Sequence, residues 1–262
     1  MSGPTQTGVN IDLRAGRPRL DDRARVRRVG LVILATDHTS EPDFARMVAG
    51  ERIGVYVARI PYANPTTPEN LRRMQPSLSA AAELILPGEA LDALCYSCTS
   101  ASVVIGDAEI EQALRAGKPG VPVVTPTLAA TAGLRGLGAR RISVLTPYTV
   151  ETSRPMADYF QRQGFAIDRF TCLGFDDDRE MARIALSEIV GLAAEATAPE
   201  SDALFVSCTA LRAASVIAEM EAAVSRPVVS SNQASAWMCL RLCGDDAARP
   251  GDGRLMTLSL AR

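Results

Sequence analysis

One octapeptide occurs almost twice in this chain. Asp92-Ala93-Leu94-Cys95-Tyr96-Ser97-Cys98-Thr99 returns 110 residues later as Asp202-Ala203-Leu204-Phe205-Val206-Ser207-Cys208-Thr209, with six identities in register. In a chain of 262 residues, such a repeat predicts two structurally equivalent halves of ordinary domain size. Each half presents one cysteine at the same point. If the halves face each other, Cys98 and Cys208 stand on opposite sides of one cleft. Two thiols so placed can take a proton from one face of a small molecule and return one to the other.

The rest of the chain fits that frame. Residues 1–28 read as a flexible N-terminal arm, rich in arginine (Arg14, Arg17, Arg19, Arg23, Arg25, Arg27, Arg28) but diluted by Asp12, Asp21 and Asp22. From Val29 strands and helices alternate. Gly30–Leu34, Gly54–Arg59, Ala93–Tyr96 and Val121–Val124 read as strands, with helices over Thr67–Leu86, Asp107–Ala116 and Thr127–Leu137. The series restarts with strands at Arg141–Leu145, Ala166–Leu173, Ala203–Val206 and Pro227–Ser230. Helices there cover Ser153–Gln163, Arg179–Ala194, Leu211–Ala223 and Asn232–Leu242. The acidic run Asp176-Asp177-Asp178 is a natural N-terminal cap. The expected class is α/β. A first half (29–138) and a second half (139–244) each hold a four-stranded parallel sheet flanked by helices, and residues 245–262 form a C-terminal tail. Ligands of such sheets bind beyond the C-terminal ends of the strands, where both Ser-Cys-Thr motifs lie.

Composition narrows the function. The hydrophobic fraction of 47% supports a large core, and a net charge of −2 gives no case for nucleic acid or an anionic membrane as partner. No apolar run approaches the roughly 18–20 residues of a membrane span, and the N-terminus lacks the apolar core of a signal peptide. A soluble, cytoplasmic protein is expected. Six cysteines then read as free thiols rather than a disulfide framework. Cys95 and Cys98 have C-x-x-C spacing, and Cys239 and Cys243 stand one helical turn apart. With His38 the sole histidine, no ordinary zinc set emerges, and no metal is expected. Cys95, Cys172, Cys239 and Cys243 read as buried apolar residues.

Cys98 and Cys208 are different. Each sits between a strand end and a predicted helix start, where free amide groups favour a thiolate or a nearby anion. Amides around Thr99, Ser100, Thr209 and Ala210, with the hydroxyls of Thr99, Ser100 and Thr209, can hold a substrate carboxylate or an enolate oxygen. Ser, Cys and Thr pack a strand end poorly, yet all three recur together. Tyr148, after the strand that opens the second half, is either a donor to substrate or a core aromatic. Thr36 and His38 end the equivalent strand of the first half, as site residues or as loop residues that bond locally. Dinucleotide and Walker-type glycine loops are absent, so no cofactor is expected.

The segments Cys98-Thr99-Ser100-Ala101-Ser102, Leu145-Thr146-Pro147-Tyr148 and Val206-Ser207-Cys208-Thr209-Ala210-Leu211-Arg212 resemble the aspartate/glutamate racemase superfamily. The resemblance is strongest to the branch that holds maleate isomerase and arylmalonate decarboxylase. It covers nearly everything after residue 29. It implies two pseudosymmetric Rossmann-like halves with the site between them, no cofactor, and a homo-oligomer. It implies Cys98 as nucleophile or base and Cys208 as acid/base. Thr99, Ser100, Tyr148, Thr209 and Ala210 would hold the carboxylate or stabilise the intermediate.

Two departures refine the resemblance. Maleate isomerases carry asparagine in the loop after the first strand, where this chain has Thr36-Asp37-His38-Thr39. Arylmalonate decarboxylase lacks the first cysteine, which this chain keeps. Residues 36–41 resemble the ectoine-utilisation proteins of the branch. The expected function is a cofactor-independent isomerase or racemase of a small carboxylate. Maleate-type isomerisation and arylmalonate-type decarboxylation are the alternatives. A non-catalytic carboxylate-binding protein and a redox or metal protein using Cys95 and Cys98 are the competing classes. Cys95 lies inside an apolar strand, which argues against the last.

Overall fold

The computed structural model describes Val9 and residues 11–261. Among the described residues, eight strands form two parallel sheets. The first comprises β1 (Arg27–Leu34), β2 (Ile53–Ile60), β3 (Ala93–Tyr96) and β4 (Val123–Val124), in the order β2-β1-β3-β4. The second comprises β5 (Arg141–Tyr148), β6 (Ala166–Phe175), β7 (Ala203–Val206) and β8 (Val228–Ser230), in the order β6-β5-β7-β8. Order and register both repeat. Val29 pairs with Ala93 as Ile142 pairs with Ala203, and Leu94 with Val123 as Leu204 with Val228. The expected pair of equivalent four-stranded α/β sheets is therefore present.

The first sheet carries helices α1 (Ser40–Met47), α2 (Pro68–Arg72), α3 (Leu78–Leu84), α4 (Thr99–Ile105), α5 (Asp107–Gly117) and α6 (Pro126–Gly136). The second carries α7 (Val150–Arg162), α8 (Asp178–Met181), α9 (Leu186–Ala196), α10 (Ile217–Val224) and α11 (Ser231–Leu242). Alternation along β1 shows why its sequence is apolar throughout. Val29, Leu31 and Ile33 join a core that continues through Val144, Phe205 and Trp237 of the second half. Val32 and Leu34 join a separate core with Leu71, Met74 and Leu78. A strand covered on both faces has no polar side. The halves meet where α6 packs on α11, α1 on α11, and α4 on α7.

Three long helices expected from periodicity are interrupted. Over 67–86 the chain forms α2, a 3-10 turn at Gln75–Ser77 and then α3, because Pro76 cannot donate a helical hydrogen bond. Over 179–194 it breaks between α8 and α9, where Arg212 Nη2 donates to the freed carbonyl of Ile184 at 2.8 Å. Over 211–223 a 3-10 segment (Arg212–Val216) precedes α10. The last segment is part of the core: Leu255 and Met256 are fully buried. Trp237 Nε1 and Arg241 Nε each donate to the carbonyl of Leu258 at 2.8 Å. No helix among the described residues is long and apolar enough to cross a membrane.

Candidate active site

The two cysteines sit at equivalent strand ends but in different backbone states. Cys98 follows β3 with extended backbone (φ −153°) and immediately precedes α4. Cys208 follows β7 with φ +97°, a region that non-glycine residues adopt at a cost of about 1–3 kcal/mol. The turn around it is tied down from four directions. Its backbone N–H donates to Ser231 Oγ at 3.1 Å, and Thr209 Oγ1 donates to the carbonyl of Ser97 at 3.2 Å. Asn232 Nδ2 donates to the carbonyl of Thr209 at 2.9 Å, and Thr39 Oγ1 donates to the carbonyl of Ala210 at 2.8 Å. All four bonds link the turn to elements outside it, and together they overdetermine its shape.

Both halves contribute to this network. Thr99 Oγ1, beside Cys98, donates to the same Ser231 oxygen at 2.8 Å. Ser97 Oγ meets Ser40 Oγ at 2.7 Å, and Ser40 donates to Asp37 at 2.7 Å. Asp37 also accepts the backbone N–H groups of Thr39 and Ser40, so it caps the start of α1. Asn232 Nδ2 donates to Asp43 at 2.8 Å, joining α11 to α1. Buried polar groups in such a seam are costly unless paired, so each pair specifies how the halves dock.

The thiols are nearly sealed from solvent, Cys98 at 3% and Cys208 at 5% exposure. Burial pushes the Cys98 thiol up to about 11, opposed by the Ala101 amide and the Ser100 hydroxyl. It pushes the Cys208 thiol up to about 12, opposed by Tyr148 and by the amides of Ala210 and Leu211. Ala210 N lies 3.3 Å from Cys208 Sγ, and Ser100 Oγ lies 3.7 Å from Cys98 Sγ. The amides act as the sequence suggested, but desolvation outweighs them and both thiols are neutral at rest. Each thiol has a phenol beside it, Tyr96 at Cys98 and Tyr148 at Cys208. Burial, then the nearby thiols, raises both phenols well above their ordinary value. Tyr148 also reaches Ser100, so it spans both halves.

Residues 76–256 match the family model described as Amdase, arylmalonate decarboxylase, which is well over half of the chain. The chain belongs to the arylmalonate decarboxylase family. Arylmalonate decarboxylase of Bordetella bronchiseptica is 36% identical over 139 residues, spanning 52% of this chain and 58% of that protein. Maleate isomerase of Nocardia farcinica is 26% identical over 242 residues, spanning 88% and 96%. Among solved structures, a Nocardia farcinica maleate cis-trans isomerase mutant with a covalently bound succinylcysteine intermediate superposes with a TM-score of 0.80 at 25% identity, covering 88% of this chain and 98% of that one. A liganded double mutant of arylmalonate decarboxylase gives 0.79 at 28%, covering 87% and 98%. The chain is thus similar both to maleate isomerases and to arylmalonate decarboxylase.

Within this family fold, the structure gathers Cys98, Cys208, Ser100, Tyr148 and Ala210. The Thr99 and Thr209 hydroxyls are spent on Ser231 and on the Ser97 carbonyl. Thr36 Oγ1 donates to Asp178, across the halves. His38 is exposed and lines a surface pocket with Asp177, Arg179 and Arg183. Four residues that the sequence reading did not place in the site lie at the thiols. Tyr62 and Asp178 act electrostatically on them, and Met181 Sδ is 3.9 Å from Cys208 Sγ. Ser231 holds the Cys208 backbone. The equivalence of Ser230-Ser231 to Thr125-Pro126 after the fourth strand of each half was the available signal for Ser231.

Cys95 and Cys239 are fully buried and contact one another, away from solvent. Among the described residues no group of His, Cys, Asp or Glu has the arrangement of a metal site.

Proposed function

We propose that the protein is a cofactor-independent isomerase or racemase of a small carboxylate, with Cys98 and Cys208 as its paired reactive groups. The observation that supports this is two neutral thiols at equivalent strand ends, each with its own buried tyrosine. In racemisation, one cysteine first gives its proton to solvent; as thiolate it removes the α-proton, and the electron pair moves onto the carboxylate as an enediolate. The other, as thiol, delivers a proton to the opposite face. In cis-trans isomerisation, Cys98 first gives its proton to solvent; as thiolate it bonds to one alkene carbon while the Cys208 thiol protonates the other and is left as thiolate. Rotation about the resulting single bond follows. Loss of that proton and of the sulfur then restores the alkene. The succinylcysteine in the Nocardia relative supports the covalent variant. Amides of Ala101, Ala210 and Leu211 face the sulfurs and can stabilise developing negative charge.

The finer reading follows the segment at residues 36–41: ectoine or hydroxyectoine as substrate. Ectoine is a cyclic amidine carboxylate with an acidic α-carbon, matched to two-thiol proton transfer. The same reading carries a homo-oligomer in the cytoplasm. The 36% identity to a decarboxylase favours a second chemistry at the same site. There the carboxylate leaves as carbon dioxide, and Cys208 protonates the carbanion.

Proton exchange in deuterated buffer, followed by NMR, tests both readings on ectoine, hydroxyectoine, maleate, aspartate and an arylmalonate. Cys98→Ala and Cys208→Ala are each expected to abolish turnover while retaining the fold. A normal rate in either variant sinks the two-thiol mechanism. Carbon dioxide release that survives Cys98→Ala and fails in Cys208→Ala establishes the decarboxylase. Binding of a carboxylate without any exchange points to a non-catalytic protein.

A further inference from the structure

The charged group that the fold brings to the thiols is an anion. Asp178 opens α8, and its residue is only 6% exposed. Its charge acts on the Cys98 thiol and on the Tyr62 phenol. Met181, one turn further along the same face of α8, touches Cys208. The carboxylate therefore acts on Cys98 from the same short helix whose Met181 touches Cys208.

Asp178 is not the residue that caps its helix. The helix is capped by its neighbour: Asp177 accepts the backbone N–H of Arg179 at 2.9 Å and pairs with that arginine's guanidinium. Asp178 takes one bond from the Thr36 hydroxyl and one from Asn64 Nδ2, at 2.9 Å. Both donors are neutral, and a carboxylate accepts about four bonds. None of the ion pairs among the described residues includes Asp178. A nearly buried carboxylate without a cation is expensive unless something supplies one.

A dicarboxylate substrate would worsen this situation, placing a second negative charge against the first in a water-poor site. A substrate with a positively charged nitrogen would relieve it. We propose that Asp178 is the specificity determinant of the cleft and that it selects zwitterions, amino- or amidino-carboxylates whose cationic nitrogen lies against it. The substrate carboxylate then points to the opposite end, toward Ser100 and the Ala210 amide. This inference rests on the carboxylate-isomerase reading of the site and names its substrate class.

The test is calorimetric binding of ectoine, as an amidinium carboxylate, and of maleate, as a dianion, to the full-length protein and to Asp178→Asn. Asparagine keeps an acceptor for Thr36 or Asn64, so the tie between the halves persists. The native protein is expected to bind ectoine at least about tenfold more tightly than maleate. In Asp178→Asn the ectoine affinity falls by about tenfold or more and that of maleate rises, a crossing of preferences that loss of a tether does not produce. If the variant fails to fold, the native preference decides alone. Equal or tighter binding of maleate by the native protein, unchanged preference in the variant, or no binding of ectoine overturns the proposal. Loss of turnover in Cys98→Ala with ectoine binding intact leaves this assignment standing. Retained turnover there, beside the crossing of preferences, removes the two-thiol reading instead.

Discussion

Ser231 Oγ accepts the backbone N–H of Cys208 at 3.1 Å, and this bond holds a cysteine in the left-handed region. Thr99 donates to the same oxygen, so one hydroxyl serves both cysteine loops. Removing it leaves a buried N–H without a partner, at about 1–3 kcal/mol. Ser231→Ala is expected to lower the unfolding free energy, measured by urea denaturation, by that amount. Its proton-exchange rate should fall by about tenfold or more, because Cys208 loses its fixed position. A native rate in a destabilised variant would make the bond purely architectural.

The raised thiols give a direct chemical signature. With Cys98 pushed to about 11 and Cys208 to about 12, little thiolate exists at neutral pH without substrate. Alkylation by iodoacetamide, read peptide by peptide in a mass spectrometer, is expected to rise roughly tenfold per pH unit from 7 to 9 at both positions. A rate independent of pH over that range would show a thiolate already formed.

Asp43 makes stability depend on pH. Burial raises its carboxyl from 3.8 to about 6, although Asn232 and Arg46 pull the other way. A folded value above the unfolded one means that the contribution is fully present below about pH 4 and lost as pH rises through about 6. The gap corresponds to about 3 kcal/mol at most. Asp43→Asn is expected to gain on the native protein by about 2–3 kcal/mol between pH 4 and 7, measured by chemical denaturation at each pH. A constant difference across that range refutes the assignment.

Gly117 permits a close approach of α5 to α3. A Cβ there would stand 2.2 Å from the carbonyl oxygen of Ser79 and 2.9 Å from the amide nitrogen of Glu83, both backbone atoms of the α3 region. Gly117→Ala must push α5 from α3 and is expected to cost about 1–3 kcal/mol. At Gly120 there is open space but φ is +74°, so Gly120→Ala should cost only about 1 kcal/mol. Thermal unfolding of the two variants separates contact from conformation.

The sheet architecture was legible because it rests on short-range pattern. Apolar runs such as Gly30–Leu34 and Ala93–Tyr96 have no polar alternation, and the repeat put Cys98 and Cys208 at matching strand ends. Interrupted helices were less visible. Arg212 satisfies the Ile184 carbonyl left free between α8 and α9 from 28 residues away, a tertiary contact that no local window contains. The raised thiols were also hidden, since sequence shows a strand-end cysteine near amides but not how completely the other half seals it. Asp178 read as part of a helix cap. In space the cap belongs to Asp177, and Asp178 turns toward the thiols.

The two Ser-Cys-Thr tripeptides are chemically identical, yet one is extended and the other left-handed. Exchanging them would alter no atom. Whatever distinguishes the two cysteines therefore resides in their surroundings: α4 begins at once after Cys98, whereas Cys208 enters a turn anchored by Ser231, Asn232 and Thr39. A duplicated motif has thus become a pair of unlike tools without a single substitution within it. The division of labour between the sulfurs is written in the scaffold that bends one copy and not the other.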